Sequence, residues 1–493
     1  MTKKDNIAIV FDCGATNLRV IAIDTKGHIL ASKAIKNTTE TDPYYTGGKI
    51  WDIDQLWQKF CLASKEVVSK INNEDIIGVT VTTFGVDGTF VDKAGKLLYP
   101  VISWQCPRMQ SVMTNIHRHM AVEELYRISG VFPYAFNTIA KMVWFMENKP
   151  EIIEQASQFL FIPSLFLKML GGDWVNDSTM LGTSMMADLK NRRISEEILE
   201  AFDLPKKLFG NMGEPGDFVG AVNKEGAQST GIPEGVPLFL TGHDTQFAIF
   251  GSGAGLNQPV LSSGTWEILM ARSAHFRSSA GELKAGLTTE TDARPGLYTI
   301  GQNWLGSGIL EWFSRQFYPG LEGDELYRTM IREAEAVQAH QHGLIIDPDF
   351  LTDSDKQGGS IRGLNLHTSR AEIYRALLEG LAFRLRESLD VLQNAGDFKT
   401  DRIICVGGGS KNKLWNQIRA DVCKVPIQLI KQTETTVLGA ALFVFSGAGL
   451  FKNPEEARNN MDYSPVLINP NNDHAAYYND QYNKFLNLKQ QAQ

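Results

Sequence analysis

Cysteine is scarce in this sequence and follows no recognisable pattern. Five cysteines are scattered through 493 residues, an odd number without any CxxC spacing. Disulfide frameworks and zinc sites depend on paired or closely spaced cysteines, so the sequence argues against both. Four histidines also lack metal-ligand spacing, and we assign them to the surface: His117, His119, His340 and His342. We expect a reducing compartment, the cytoplasm, for this protein.

Long hydrophobic runs and basic clusters are missing as well. No segment approaches the ~18 uninterrupted apolar residues of a membrane span. The opening residues do not resemble a signal peptide, because Asp12 interrupts a short apolar run and no small-residue cleavage site follows. With a net charge of −8 and no long Lys/Arg block, the chain lacks the basic surface that non-specific nucleic-acid binding requires. We expect neither a membrane nor a nucleic acid as a partner.

The chain does contain alternating strand and helix patterns with glycines clustered at strand ends. In the first part, residues 7–11, 18–23 and 29–35 read as strands, with a hairpin turn centred on Lys26-Gly27, and residues 56–71 read as a helix. The second half repeats this scheme, with strands at 260–266, 268–271 and 402–406 and helices at 370–394 and 413–422. We predict an α/β protein with two related domains, 1–250 and 251–467, a hinge near 251–255, and a tail, 468–493, that is a surface helix or a frayed end.

Two small-residue turns at strand ends suit phosphate binding. The first runs from Asp12 to Asn17, where Gly14 lets backbone N–H groups approach a phosphate and Asp12 is placed to hold Mg²⁺ through water. The second, Ser262 to Thr265, matches it in position and chemistry. Each turn has a simpler alternative, a hairpin in which Asp12 only caps a turn or a turn without a ligand. Together they suit a polyphosphate held by both domains.

A third glycine cluster, Gly407 to Asn412, separates a predicted buried strand from a helix. Three consecutive glycines allow a flat ligand such as adenine or ribose to pack directly on the backbone. The sequence contains neither a GxxxxGK[ST] nor a GxGxxG motif. A tight connection without a ligand is the alternative.

Two carboxylates at strand ends are candidates for sugar chemistry. Asp244 lies in Thr241 to Gln246 at the predicted domain boundary, where it could take the proton of an attacking hydroxyl or simply cap the next helix. Asp87 lies beside Phe84 and Gly85, a setting that suits polyol recognition, although a solvated Asp in a β-turn is the alternative. Trp104 and Arg108 could join the same pocket or simply pack and pair.

The order of these motifs, with two longer stretches, resembles the FGGY family of carbohydrate kinases. The stretches are FNTIAKMVWFMEN, residues 136–148, and GSIRGLNLHTSRAEIYRALLEG, residues 359–380, and the likeness covers roughly residues 5–460. The resemblance implies two actin-like, ribonuclease-H-like domains with a cleft between them, closing over ATP and a small ketose. It also implies ATP and Mg²⁺ as cofactors. The oligomeric state is left undetermined between a monomer and a homo-oligomer.

The resemblance assigns roles residue by residue. Asp244 matches the catalytic base and Asp12 through Asn17 the first phosphate loop, whereas Glu311 stands where a relative has a nucleotide-side Gln. The ATP-binding positions are Gly14, Ala15, Thr16, Asn17, Gly264, Thr265, Gly407, Gly408, Gly409, Ser410 and Asn412. The sugar-side positions are Gly85, Asp87, His243 and Asn303, with Trp104 and Arg108 added from the residues themselves.

The implied reaction is phosphorylation of L-fuculose to L-fuculose 1-phosphate in L-fucose catabolism. L-rhamnulose and D-xylulose stay open as substrates, because such ketoses differ in the placement of hydroxyl groups that sequence spacing does not resolve. A different class also stays open, an actin-like nucleotide switch without a sugar acceptor. Asp87, Trp104 and Arg108 argue against the switch, because they suggest a sugar pocket.

Overall fold

The structure, a computed structural model, describes residues 6–338, 343–350 and 358–492. His340 and His342, which the sequence assigns to the surface, lie outside these residues. The strands are β1 (Ile7–Cys13), β2 (Asn17–Ile23), β3 (Ile29–Lys36), β4 (Glu40–Thr41), β5 (Lys49–Trp51), β6 (Ile76–Thr83), β7 (Gly88–Val91), β8 (Val101–Ile102), β9 (Gln158–Phe161), β10 (Val175–Asp177), β11 (Ala187–Asp188), β12 (Arg193–Ile194), β13 (Asn211–Gly213), β14 (Phe218–Ala221), β15 (Pro237–Phe239), β16 (Pro259–Ser263), β17 (Trp266–Ser273), β18 (Thr288–Thr291), β19 (Tyr298–Leu305), β20 (Ile345–Asp347), β21 (Ser360–Arg362), β22 (Ile403–Val406), β23 (Ile427–Leu429) and β24 (Val466–Ile468).

Helices alternate with these strands, as the sequence predicts for an α/β protein. They are α1 (Ile53–Val68), α2 (Met109–Thr114), α3 (Val122–Ser129), α4 (Thr138–Asn148), α5 (Pro150–Gln155), α6 (Ile162–Leu170), α7 (Ser178–Gly182), α8 (Glu196–Ala201), α9 (Lys224–Thr230), α10 (Asp244–Gly251), α11 (Ala280–Lys284), α12 (Ser307–Phe317), α13 (Gly323–Glu335), α14 (Arg370–Gly396), α15 (Lys413–Cys423), α16 (Thr435–Gly447), α17 (Pro454–Asn459) and α18 (Ala475–Ala492). In the part of the chain that the structure describes, no helix combines the length and the apolar character needed to cross a membrane.

The chain divides into two compact units, each assembled from separate segments. Unit 1 comprises residues 1–253, 274–299 and 434–462, and unit 2 comprises 254–273, 300–433 and 463–493. The chain first passes from unit 1 to unit 2 after Gly253, within the glycine-rich segment that the sequence predicts as a hinge. The sequence predicts two domains that are each continuous in the chain, 1–250 and 251–467, and this division stays a prediction.

Unit 1 is built on a six-stranded sheet in the order β14-β15-β6-β1-β2-β3. Strand β1 pairs antiparallel with β2 and parallel with β6, so the predicted β2–β3 hairpin extends the sheet on one side. Its turn has Gly27 at φ 81°, a left-handed conformation that favours glycine. The strand β1 is buried along its whole length, because both faces of the sheet are covered. A second apolar core surrounds α4.

Unit 2 repeats this local strand arrangement. Strand β16 pairs antiparallel with β17 and parallel with β22, and its sheet runs in the order β19-β17-β16-β22-β23-β24. The long helix α14 begins with a capping box, in which the side chains of Ser369 and Glu372 each accept a hydrogen bond from the other's backbone N–H. The tail forms α18, a helix as one of the two alternatives predicts. Its Tyr478 and Phe485 are buried, so it packs as part of the unit.

Candidate active site

The turn between β1 and β2 is too tight for a side chain at its first position. Gly14 N donates to Asn17 O at 3.0 Å, and a Cβ on Gly14 would lie 2.8 Å from that oxygen. Asn37 supports the turn, since its Nδ2 donates to Gly14 O at 2.9 Å. Thr16 and Asn17 are exposed at its tip. The predicted phosphate loop therefore presents polar side chains to solvent on a fixed backbone.

Asp12, at the base of this turn, forms an ion pair with Arg19 on the neighbouring strand. Arg19 Nε donates to Asp12 Oδ2 at 2.9 Å, and Arg19 also pairs with Glu434. Burial raises the pKa of Asp12 to about 6 against the opposing effect of Arg19, and the nearby Asp244 raises it further. Asp12 therefore does more than cap a turn, because its carboxylate pairs with a side chain of the neighbouring strand.

Asp87 is fully buried in the loop that follows β6. Its Oδ2 accepts from Trp51 Nε1 at 2.7 Å and from the backbone N–H of Trp104 at 3.0 Å, while its Oδ1 pairs with Lys141. Burial raises the pKa of Asp87, and Lys141 opposes that effect. The alternative of a solvated Asp in a turn is therefore wrong. Direct contact with a sugar diol stays a prediction, and the geometry favours a role in positioning the loop.

The same loop brings its backbone close to His243. Val86 adopts φ 66°, a left-handed conformation that is strained for a β-branched residue. Its carbonyl oxygen accepts from Thr138 Oγ1 at 2.9 Å and from Lys141 Nζ at 3.0 Å, and these bonds hold the strained turn. A Cβ on Gly85 would lie 2.9 Å from His243 Nε2. Only glycine at position 85 allows the imidazole to occupy its present place.

Asp244 is the first residue of α10. The N-cap position belongs to His243, whose side chain makes no capping hydrogen bond. Asp244 therefore does not occupy the cap position that the alternative assigns to it, although its Oδ1 accepts from Thr245 Oγ1 at 3.3 Å. Its side chain is 29% exposed, and its Oδ1 lies 3.6 Å from His243 Nε2. Burial raises the pKa of Asp244, whereas His243 lowers it.

The two sugar residues predicted from the sequence itself differ in exposure, since Trp104 is exposed and Arg108 is buried. The Trp104 ring is 37% exposed and lies beside the Phe136 ring, with centroids 6.3 Å apart. The Arg108 side chain has no exposed surface, because it pairs with Asp42 and lies 4.2 Å from the centroid of the Tyr45 ring. Arg108 thus anchors the segment 38–48, for which the sequence suggests no role. Its predicted contact with sugar stays a prediction that this burial disfavours.

In unit 2 the turn from Ser262 to Thr265 is joined to the start of α12. The backbone N–H of Gly306 donates to Thr265 O at 2.8 Å, and that of Ser307 donates to Gly264 O at 3.0 Å. Ser262 and Thr265 are exposed. This turn is therefore held by backbone bonds, while the hydroxyl groups of Ser262 and Thr265 face solvent.

The glycine cluster after β22 packs directly against that turn. Gly407 has φ 86°, and a Cβ there would lie 2.7 Å from Ser263 O. A Cβ on Gly409 would lie 2.0 Å from Ser263 Oγ, whereas one on Gly408 would meet no atom within 4 Å. Gly408–Lys411 forms a short 3₁₀ helix, and Asn412 caps α15 through its Oδ1, which accepts from Trp415 N at 3.1 Å. Gly408 alone of the three thus faces open space, as the packing of a flat ligand would require.

A buried ion pair lies beneath both unit 2 loops. Arg419 pairs with Glu267 and donates to Ser263 Oγ at 2.8 Å, and its guanidinium lies 3.6 Å from the centroid of the Trp415 ring. Glu267 also accepts from Trp304 Nε1 at 3.0 Å. This network fixes Ser263 between the two loops.

The structure distributes the predicted residues over both units. Unit 1 holds the loop from Asp12 to Asn17, together with Gly85, Asp87, Trp104, Arg108, His243 and Asp244. Unit 2 holds the turn at Gly264-Thr265, the half-buried Asn303, the exposed Glu311 and the cluster from Gly407 to Asn412. Among the residues described, no group of three or more His, Cys, Asp or Glu side chains could hold a metal ion.

Sequence reasoning missed several charged residues that organise these loops. Lys141 could have been found as the one charge in the apolar run 139–146 of α4, and Arg19 as the one charge of β2. Glu290 stands in β18, where four consecutive polar residues, TTET, are all buried. A run of buried polar residues is the signal there, although sequence alone does not reveal burial.

Comparison with solved structures defines the fold. The crystal structure of xylulose kinase from Rhodospirillum rubrum superposes with a TM-score of 0.88 over 98% of each chain, at 22% identity. The fold is therefore the two-domain α/β fold of sugar kinases, which is actin-like as the sequence predicts.

Comparison of sequences defines the family. Residues 7–251 match the N-terminal domain and residues 260–448 the C-terminal domain of the FGGY family of carbohydrate kinases. L-fuculokinase from Escherichia coli (strain K12) is 43% identical over 460 residues, which are 93% of this chain and 96% of that protein. L-fuculokinase from Haemophilus influenzae is 42% identical over 472 residues, 94% of this chain and 100% of that protein. The chain belongs to the FGGY family of carbohydrate kinases, and that family acts on a sugar with ATP.

Proposed function

We propose that this protein transfers the γ-phosphate of ATP to the 1-hydroxyl of L-fuculose, forming L-fuculose 1-phosphate in L-fucose catabolism. The identity of 43% to the L-fuculokinase from Escherichia coli, over nearly the full length of both chains, supports this choice of ketose. The observation that carries the mechanism is the partly exposed carboxylate of Asp244, the first residue of α10.

Asp244 serves as the general base in this proposal. As the 1-hydroxyl oxygen attacks the γ-phosphorus, its proton passes to the Asp244 carboxylate, and the bond from phosphorus to the β–γ bridging oxygen breaks to release ADP. Because phosphoryl transfer depends mainly on positioning and charge stabilisation, a single placed carboxylate suffices as the base. A pKa raised by burial makes the carboxylate a stronger proton acceptor than a solvated Asp.

The exposed loops supply the nucleotide contacts. Thr16 and Asn17 in unit 1 and Thr265 in unit 2 offer polar groups to the phosphates, and the open space at Gly408 suits the adenosine. Arg19 donates two hydrogen bonds to Oδ2 of Asp12, which leaves Oδ1 for a hydrated cation. A single carboxylate fits Mg²⁺, which usually keeps several waters and binds mainly through substrate phosphates. When bound, Mg²⁺ would neutralise phosphate charge.

The sugar contacts in this proposal come from the Trp104 ring and from the space beside His243. The Trp104 ring offers a flat apolar face, and Gly85 leaves room beside the imidazole. Asp87 and Arg108 have indirect roles in this proposal. Asp87 holds the backbone of Trp104, and Arg108 anchors segment 38–48.

A panel of ketoses assayed with ATP tests the proposal. ADP release is measured with L-fuculose, L-rhamnulose, D-xylulose and no sugar, and the phosphorylated position is read by NMR of the product. We expect kcat/KM for L-fuculose to exceed that for each other ketose by about 10-fold or more, because a misplaced hydroxyl leaves buried polar groups unpaired. A preference for another ketose overturns the substrate, and ATP turnover that no ketose changes favours the nucleotide switch.

A further inference from the structure

Glu290 lies behind His243, on the side of the imidazole away from Asp244. It belongs to β18 and is 7% exposed. Glu290 Oε2 lies 3.1 Å from His243 Nδ1 and accepts from Gln246 Nε2 at 2.8 Å. One carboxylate oxygen therefore contacts two residues of the segment that carries Asp244.

The orientation of each group in this set is fixed by its partners. Gln246 Oε1 accepts from Thr299 Oγ1 at 2.6 Å, which turns the amide nitrogen of Gln246 toward Glu290. The backbone N–H of His243 donates to Thr179 Oγ1 at 2.9 Å. Because an ionised carboxylate only accepts, His243 Nδ1 must carry the proton of their shared bond. The Nε2 edge then faces Asp244 Oδ1 at 3.6 Å.

We infer that Glu290 is a positioning residue for phosphoryl transfer, fixing the imidazole of His243 so that its Nε2 edge faces the carboxylate of Asp244. This inference rests on the proposed function, because it gives Asp244 its role as the base. Glu290 acts mainly through His243, and it needs no contact with sugar or nucleotide.

The charges around His243 explain what this arrangement does. Three carboxylates face the imidazole, Glu290 from β18, Asp244 from α10 and Asp177 from β10. Burial lowers the pKa of His243, but these carboxylates together outweigh burial and raise it. A protonated His243 in turn favours the ionised form of Asp244, the form that accepts a proton.

The neighbours of Asp244 determine the expected direction of the pH effect. His243 lowers the pKa of Asp244, and Glu290 raises it by a weaker, direct repulsion. Asp12, paired with Arg19, interacts with Asp244 from the end of β1. Loss of the Glu290 charge disfavours the protonated imidazole, and His243 has the larger effect of the two on Asp244, so the pKa of Asp244 should rise.

The test compares Glu290→Gln, Glu290→Asp and the wild type by two measurements on the full chain. NMR titration of ¹³C-labelled histidine gives the pKa of His243, assigned with a His243→Gln variant. In Glu290→Gln it should fall by about 1–3 units, the effect of removing an opposite charge at this distance. In the same variant, kcat/KM at neutral pH should fall about 10-fold, and the acid limb of its pH profile should shift to higher pH. KM for ATP should be unchanged.

Two control variants separate charge from structure. Glu290→Asp keeps the charge, so its His243 pKa should lie closer to that of the wild type than that of Glu290→Gln does. Glu225→Gln, an exposed site on α9 in the same unit, should leave both measurements unchanged.

The outcomes distinguish this inference from the proposed function. A His243 pKa and pH profile unchanged in Glu290→Gln overturn the inference while leaving the kinase function intact. If the wild type phosphorylates no ketose, the proposed function fails, and a shifted His243 pKa still supports the positioning of the imidazole by Glu290.

Discussion

Two turns, one in each unit, rest on the same strand arrangement but have opposite electrostatic surroundings. The turn after β1 and the turn after β16 each connect antiparallel strands, and in each case the first strand pairs parallel with a third, β6 or β22. Beneath the first, Asp12 and Asp244 are carboxylates whose pKa values burial raises. Beneath the second, Glu267 is matched by the buried guanidinium of Arg419.

This difference indicates that the two turns have different roles. In unit 1, Asp12 shares the single guanidinium of Arg19 with Glu434, so the carboxylates there outnumber their cation. Carboxylates that are only partly neutralised are costly to bury, and they cluster where proton transfer or a cation uses them. A matched buried pair instead fixes the loops above it without adding net charge. We therefore expect changes in unit 1 to alter chemistry and changes at the Arg419 pair to alter loop stability.

The largest expected effect is on catalysis in unit 1. Asp244→Asn should lower kcat by about 10²–10⁴-fold, because it removes general-base assistance. The dissociation constant for ATP should change little, since Asp244 is no part of either nucleotide loop of unit 2. Steady-state kinetics and equilibrium ATP binding check the two halves of this prediction. Turnover close to that of the wild type would contradict the role of Asp244.

Breaking the matched pair in unit 2 should cost stability. Arg419→Met leaves Glu267 buried without its cation, and such a loss typically costs about 3–5 kcal/mol. Thermal and urea unfolding measure it, and KM for ATP should rise because Ser263 loses one of its donors. The double variant Arg419→Met/Glu267→Gln is the matched control and should recover part of the loss. An unaltered unfolding midpoint in the single variant would contradict the structural role of the pair.

Removing the charge of Asp12 should raise the free energy of unfolding, whereas removing the charge of Arg419 lowers it. Its pKa of about 6 lies roughly two units above the ordinary value, so at pH 7 the ionised group costs up to about 3 kcal/mol, and Asp12→Asn should be more stable while losing activity. Between about pH 4 and 6 the folded carboxyl holds a proton that the unfolded chain has lost, so wild-type stability from this group falls as pH rises. Unfolding at pH 4 and 7 checks this, since the advantage of the variant should shrink at pH 4. A destabilised variant at pH 7 would show that the Arg19 pair outweighs burial.

Most regular elements follow from local patterns in the sequence. The buried strand β1, the β2–β3 hairpin and the long helix α14 appear where periodicity and turn residues predict them, with ends that differ by a few residues. Helix α1 begins at Ile53, three residues before the predicted start, because Asp52 caps it through a bond to Gln55 N. The glycine turns were also identifiable, because tight turns restrict residue type.

The partners of the charged residues could not be predicted in this way. Asp87 reads as a turn residue until Lys141 and Trp51, distant in the chain, are seen to enclose it. Arg108 reads as a sugar contact until Asp42 and Tyr45 are seen to bury it. Burial and ion pairing depend on residues that the fold brings together, and spacing along the chain carries no record of them.

Asp244 combines both kinds of information. The sequence by itself determined the strand-end position of this carboxylate, the glycine-rich loops and the FGGY family, because each depends on local residue order. Only the tertiary structure decided that Asp244 is the first residue of α10 and not its cap, and that burial raises its pKa. The contact between His243 and Glu290 was likewise decided by the tertiary structure. Those properties arise from desolvation and charge at short distances, and short distances between remote residues exist only once the chain has folded.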